Sequence, residues 1–234
     1  HSWVLPRPSE DSDKVRRTMR QIADEFVATV VTFFRKPQMW VAICFMLFYR
    51  MPEGLLAKVS ALFLVDSVRN GGLGLSDVEY GLVQGTVGII GLTLGGILGG
   101  VVASRDGLKR WLWPMVMAIT LPDLVYVYLS YALPSNLLII DICVFVEQFG
   151  YGFGFSAYML YLIYYSRGDH KTSHYALCTA FMALSMMIPG MFAGALQEAV
   201  GYPVFFLIVI GTCSLTYIVT WFLDIDPEFG KKQS

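Results

Sequence analysis

Residues 137–165 read LLIIDICVFVEQFGYGFGFSAYMLYLIYY. The run exceeds the about 20 apolar residues that carry a helix across a bilayer. It is too long and too continuously apolar for a barrel strand of about 10 alternating residues. Backbone polar groups in lipid must be satisfied within the segment, which leaves the helix. Working outward, five more runs have the same character: about Gln38–Val65, Glu79–Ala103, Trp111–Ala132, Tyr175–Leu196 and Tyr202–Leu223. Short polar breaks separate them. The fold class is therefore an all-α membrane protein, a six-transmembrane-helix bundle.

Composition agrees. The chain has 234 residues, 56% hydrophobic and 15% charged, with mean hydropathy +0.57. Average globular domains are nearer ~45–50% apolar and ~25% charged. Disorder, nucleic-acid binding and most water-soluble enzymes are excluded. Twelve charged residues crowd into residues 1–36 and five into 224–234. The net charge of −1 names no partner.

Loop charge predicts the orientation. With six spans, one side collects 14 Lys/Arg and the opposite loops collect one, Arg69. Both termini are expected in the cytoplasm of a cell inner membrane protein. The expected domains are a flexible tail at 1–12, an amphipathic cytoplasmic linker helix at 13–36, the bundle at 37–223 and a cytoplasmic tail at 224–234. In the linker, Val15, Met19, Ile22, Phe26 and Val30 recur at helical spacing, and Pro37 ends the pattern. The alternative there is a plain extension of the first span. The chain starts at His1 without Met, which is read as a fragment or processed product.

Charges at membrane depth are costly and face a bundle interior or a water-filled cavity. At 1.5 Å per residue, Arg50 and Glu53 fall near mid-membrane. Three positions apart, they are expected on one helix face, with Pro52 between them breaking the helix. The third span brings Pro122-Asp123 to a similar depth. The fourth brings Asp141 about one turn in and Glu147 near the middle, flanked by Gln148 and Tyr151. Two readings stay open: Arg50 pairs with Glu53 or Glu147 to hold helices together, or these groups line a cavity handling substrate and protons.

The second span carries Gly91, Gly95 and Gly99 in stacked G-x-x-x-G steps, which let another helix backbone approach closely. Gly150-Tyr-Gly-Phe-Gly154 lacks the spacing and the preceding strand of a dinucleotide fingerprint. Ser156 has no histidine at depth, and H-E-x-x-H is absent, so intramembrane proteolysis is not supported. His170 and His174 sit in a loop without further ligands. No metal or cofactor is expected, and the chain is not read as an enzyme. Cys44, Cys143, Cys178 and Cys213 form no C-x-x-C pair and read as small hydrophobes facing lipid or other helices.

At Gly100-Val-Val-Ala-Ser104-Arg105-Asp106-Gly107-Leu-Lys109-Arg110 the chain resembles the cytoplasmic loop motif of the major facilitator superfamily. Gly100, Arg105, Gly107 and Lys109 match; Ser104 and Leu108 depart from it, as in the degenerate second copy. Five further phrases resemble the muropeptide permease (AmpG-like) branch: Phe48-Tyr49-Arg50-Met51-Pro52-Glu53, Leu62-Phe63-Leu64, Leu73-Gly74-Leu75-Ser76-Asp77-Val78-Glu79-Tyr80-Gly81-Leu82-Val83, Phe145-Val146-Glu147-Gln148-Phe149-Gly150-Tyr151-Gly152, and Lys171-Thr172-Ser173-His174-Tyr175-Ala176-Leu177.

The resemblance implies the C-terminal half of a major facilitator fold, with a missing N-terminal six-helix half as partner. It implies proton-driven import of a small polar solute, such as a muropeptide or cell-wall sugar fragment, by alternating access. Arg50, Glu53, Asp123, Asp141, Glu147, Gln148 and Tyr151 are the expected substrate and proton groups. The Gly100–Lys109 motif is the expected cytoplasmic gating loop. The partners expected are the bilayer, the solute and protons, with no nucleic acid. The alternatives are an acetyl-CoA-type transporter, or a non-transporting receptor or assembly protein on the same fold.

Overall fold

The computed structural model describes residues 19–168 and 170–231. The expected tail 1–12, residues 13–18 of the linker helix and residues 232–234 lie outside the described residues. Helix α1, Met19–Phe34, belongs to a unit of its own that ends at Pro37.

Among its described residues the second unit holds six helical spans: Met39–Val65, Asp77–Asp106, Leu108–Ala132, Leu137–Ser166, Lys171–Val200 and Tyr202–Trp221. No strand occurs among the described residues. The fifth span is longer at both ends than its apolar core. Lys171, Thr172 and Ser173 and, at the far end, Gln197 and Glu198 are polar but form ordinary helical turns. Polarity there marks exposure to water or headgroups, not the end of the helix.

Three spans are interrupted. The first divides into α2, Met39–Phe48, and α3, Met51–Val65. The second comprises α4, Asp77–Leu82, a π-helical stretch Val83–Gly88, and α5, Ile89–Asp106. A Ser76/Glu79 capping box satisfies the first turn of α4. The third comprises α6, Leu108–Thr120, a 3₁₀ turn at Leu121–Asp123 built on Pro122, and α7, Leu124–Ala132. The remaining spans are α8, Leu137–Ser166, α9, Lys171–Val200, and α10, Tyr202–Trp221.

Helix α8 is the hub, packed along α5 on one side and α6 on the other. Gly91, Gly95 and Gly99 lie against the backbone of Phe145, Phe149 and Phe153 in turn, so α5 and α8 run parallel. A Cβ at Gly95 would overlap the Phe149 carbonyl oxygen, and one at Gly152 would overlap that of Leu92. The Ser156 hydroxyl donates to the Gly96 carbonyl across this seam (3.1 Å). On the α6 side, Gly150 meets the Ala118 carbonyl and Gly154 lies 2.6 Å from the Met115 carbonyl, measured from an ideal Cβ. The close packing expected of these glycines is what they do.

The segment after α10 is not a loose tail. Ile225 and Phe229 are buried. Leu108 N–H donates to the Phe229 carbonyl (3.0 Å), and Phe229 packs on the Tyr164 ring and under the Arg167 guanidinium (4.2 Å). Residues 223–231 thus strap across the ends of spans two, three and four.

Candidate functional site at the centre of the bundle

The site begins with a missing N–H. Pro52 cannot donate to the Phe48 carbonyl four residues back, so the helix opens at Tyr49 and Arg50. In lipid a freed carbonyl needs another donor. Thr216 of α10 supplies it, with its hydroxyl 3.4 Å from the Phe48 carbonyl and 3.3 Å from that of Tyr49. The Tyr158 hydroxyl of α8 donates to the Met46 carbonyl (2.7 Å), and the Tyr49 hydroxyl donates back to Gly154 (3.0 Å). On the far side Gly54 packs against Pro189 of α9, leaving no room for a side chain. The break is a fixed feature, held by α8, α9 and α10 together.

The open turn releases Arg50 from the direction that helical spacing predicts. Its guanidinium lies 4.6 Å from the Phe155 ring centre, 5.7 Å from Tyr151 and 5.8 Å from Tyr158. One terminal nitrogen donates to the Tyr151 hydroxyl. Arg50 is buried, and its Nε has no hydrogen-bond partner. Of the two readings left open, the helix-holding pairs are not formed: Arg50 makes no ion pair with Glu53 or Glu147 among the described residues, because its side chain turns into an aromatic box on α8.

The carboxylates do come together. Glu53 of α3, Asp123 of the 3₁₀ turn and Glu147 of α8 each offer an oxygen, and these three lie within 4.8 Å of one another. All three residues are buried. Gln148 donates its amide to Glu147 (3.0 Å), and the Cys213 thiol of α10 reaches Asp123 (3.6 Å). Tyr126 stands beside Glu147, and Ser60 stands beside Tyr126. The spacing of the three oxygens also fits a single cation, which makes this the candidate cation or proton site.

Asp141 is not one of the group. It is partly buried six positions before Glu147, and one of its oxygens has no partner. The expected loop residues also stand elsewhere. Gly100 faces open space, Arg105 is exposed at the end of α5, Gly107 takes a positive φ of 88° between α5 and α6, and Lys109 pairs with Asp224 (3.6 Å).

Four groups were not singled out in advance. Tyr126 and Ser60 read as ordinary residues of apolar runs. Gln84 has a buried Oε1 without a partner, on the π-helical stretch. Cys213 is not the plain small hydrophobe expected, since its thiol is directed at Asp123.

No family model matches the chain. The anhydromuropeptide permease of Escherichia coli (strain K12) is 26% identical over 204 residues, covering 87% of this chain and 40% of the permease. A transporter named AmpG 2 from Rickettsia typhi is 25% identical over 201 residues, covering 86% of this chain and 47% of its own length. The chain is a homologue of the AmpG-type permeases. It spans less than half the length of these relatives. They are named as permeases and transporters, not as enzymes. With six long apolar spans, the likeness supports a multi-pass membrane protein similar to these permeases.

Proposed function

We propose that this chain is a six-helix unit of a proton-coupled transporter that imports a small polar, anionic solute of the muropeptide type. The carrying observation is the trio Glu53, Asp123 and Glu147, contributed by three different spans and buried beside Arg50. Carboxylates this close exchange protons as one set rather than singly. Each of them sits next to a helix interruption or on the glycine-rich helix, so a change in packing alters their spacing.

Arg50 is the anion-recognising group in this reading. Its rigid fork suits a carboxylate, and its free Nε leaves a donor for one. Tyr151 and Phe155 hold the fork; Gln148 and Tyr126 orient Glu147. Asp141 serves the entrance rather than the centre. The name of the Escherichia coli relative, an anhydromuropeptide permease, supports the substrate class.

Alternating access follows from rocking against a second six-helix unit, which would cover the apolar faces of α5 and α9. The loop Gly100–Lys109 limits that motion at the cytoplasmic end. Both termini lie in the cytoplasm, supported by the asymmetry of Lys and Arg.

The test is uptake of an anhydromuropeptide by vesicles holding the whole protein that contains this chain. A pH gradient, acid outside, is expected to drive accumulation, and Glu147→Gln to abolish it. Accumulation indifferent to pH but driven by a sodium gradient would transfer the carboxylate trio to metal-cation coupling. Indifference to both would overturn coupling at this site.

A further inference from the structure

A second built site lies at the tail end of the bundle, far from the carboxylates. A cavity of about 470 Å³ is lined by Arg105, Asp106, Lys109, Arg110, Pro227 and Lys231. Four cations therefore face one lining carboxylate, and that carboxylate is occupied. Asp106 accepts from the Trp111 indole (3.0 Å) and pairs with Arg110 (3.8 Å). Lys109 and Lys231 have only exposed partners, Asp224 and Glu228. Such exposed pairs are weak and exchange readily with a better anion. Arg105 has no ion pair among the described residues. The strap formed by residues 223–231 closes the cavity, with Pro227 against Gly107.

Next to it is a cleft of different chemistry. The aromatic and aliphatic side chains of Trp113, Tyr217, Ile218, Trp221 and Phe222 line a volume of about 360 Å³. Trp113 stacks on Tyr217 (6.4 Å) and meets Trp221 edge-on (6.0 Å). Trp113 follows Lys109 by four positions and Arg110 by three, so cavity and cleft are one helical turn apart on α6. Trp221 ends α10, and Asp224, the partner of Lys109, comes three residues later. The cavity lies between the start of α6 and the strap, and the cleft between α6 and α10, so α6 and the segment running from α10 into the strap border both.

We propose that cavity and cleft together bind one anionic glycerophospholipid, its phosphate among Arg105, Lys109, Arg110 and Lys231 and an acyl chain along Trp113, Tyr217 and Trp221. A free phosphate would use the cations but leave the aromatic cleft without purpose, and a neutral lipid would do the reverse. Basic pockets between spans on the cytoplasmic side suit anionic headgroups. Indole rings sit where headgroup meets hydrocarbon. Seating the lipid exchanges Asp224 for phosphate at Lys109 and fastens the tail strap to the α5–α6 loop. The inference needs only the membrane-spanning fold and stands apart from the transport reading.

The experiment places the full chain in phosphatidylcholine vesicles doped with brominated phosphatidylglycerol, or with brominated phosphatidylcholine at the same fraction. Bromine quenches nearby tryptophans. Stronger quenching by the phosphatidylglycerol is expected, with the preference removed in R105Q/K109Q/R110Q and kept in Arg69→Gln, which lies on the opposite loop. Unchanged quenching of the triple variant by brominated phosphatidylcholine shows that the tryptophans are still in place. Should the triple variant fail to insert, Arg105→Gln alone is expected to cut the preference about fivefold. Equal quenching by both lipids, or a preference that survives the triple variant, overturns the proposal. Loss of the preference on adding inorganic phosphate would assign the cavity to free phosphate and overturn it as a lipid site.

Discussion

Helix α8 belongs to two regions built on opposite rules. Along α5 it presents glycines, and the helices touch backbone to backbone at Gly91, Gly95 and Gly99. Toward α2, α3 and the 3₁₀ turn it presents Glu147 and Tyr151, which meet a broken helix and three other ionisable groups. The seam excludes every spare atom and contains no charge. The centre concentrates charge and leaves Arg50 Nε without a partner. A seam of this kind fixes the helices, so that the centre can hold groups whose arrangement is unfavourable on its own. Damage to the seam should therefore show as lost structure, and damage to the centre as lost function in a folded protein.

The most severe break is Gly95→Val. Its Cβ would overlap the Phe149 carbonyl, which belongs to a helix backbone and cannot rotate away. Overpacking costs ~1–3 kcal/mol where side chains can yield, so about 3 kcal/mol or more is expected here. The measurement is the thermal midpoint and yield of the purified protein in detergent. A Gly95→Val protein as stable as the parent would remove the seam from the comparison. Gly81, where nothing lies within 4 Å, is the control, and Gly81→Ala should be tolerated.

At the centre, Glu147→Gln is the counterpart. It removes the titratable carboxyl while keeping the shape and an amide oxygen that can still accept from Gln148 and Tyr126. Gradient-driven accumulation is expected to fall to passive equilibration, while the thermal midpoint holds or rises. A fall in midpoint as large as that of Gly95→Val would make Glu147 a structural residue.

Arg50→Lys sharpens the centre further. The ammonium keeps the charge but loses the fork and much of the stacking on Phe155. About tenfold weaker solute affinity is expected, with the maximal rate changed less. The uptake concentration dependence separates the two.

How far these two regions were legible beforehand differs for a physical reason. The spans follow from runs of apolar residues, and the break at Arg50 follows from Pro52. Depth counting also brought Glu53, Asp123 and Glu147 to one level. The direction of Arg50 did not follow, because three-residue spacing fixes a shared face only in an intact helix, and this one opens at Tyr49. The π-helical stretch at Val83–Gly88 has no marker in its residues. Cys213 was missed because the sixth span carries no charge to draw attention to it. The strap after α10 did leave a trace: Ile225 and Phe229 are apolar residues four apart among charged ones, the spacing of a segment with one side to bury.

Thr216→Val tests the link between seam and centre. The hydroxyl donates to the carbonyls opened by Pro52, and valine keeps the volume. A hydrogen bond between membrane helices is worth about 1 kcal/mol. A midpoint lowered by that much, together with weaker solute binding, is expected if the break holds Arg50 in place. Unchanged binding would show that the aromatic box on α8 positions Arg50 alone.

The smallest effect lies outside both regions and serves as their reference. Asp66 ends the first span and holds the following loop. One oxygen accepts from Asn70 (2.9 Å) and from Ser67 N–H (2.8 Å), and the other from the Tyr202 hydroxyl (3.0 Å). The Asn70 hydrogen bond, then those of Tyr202 and Ser67, hold its carboxyl below the ordinary value of 3.8. A carboxylate depressed in the folded state stabilises fully above its unfolded value, and the contribution is lost as pH falls through the folded one. Asp66→Asn should lower the thermal midpoint slightly at pH 7, and the gap to the parent should close as pH drops below about 3.8. A gap that persists unchanged in acid would mean that Asp66 acts through shape rather than charge.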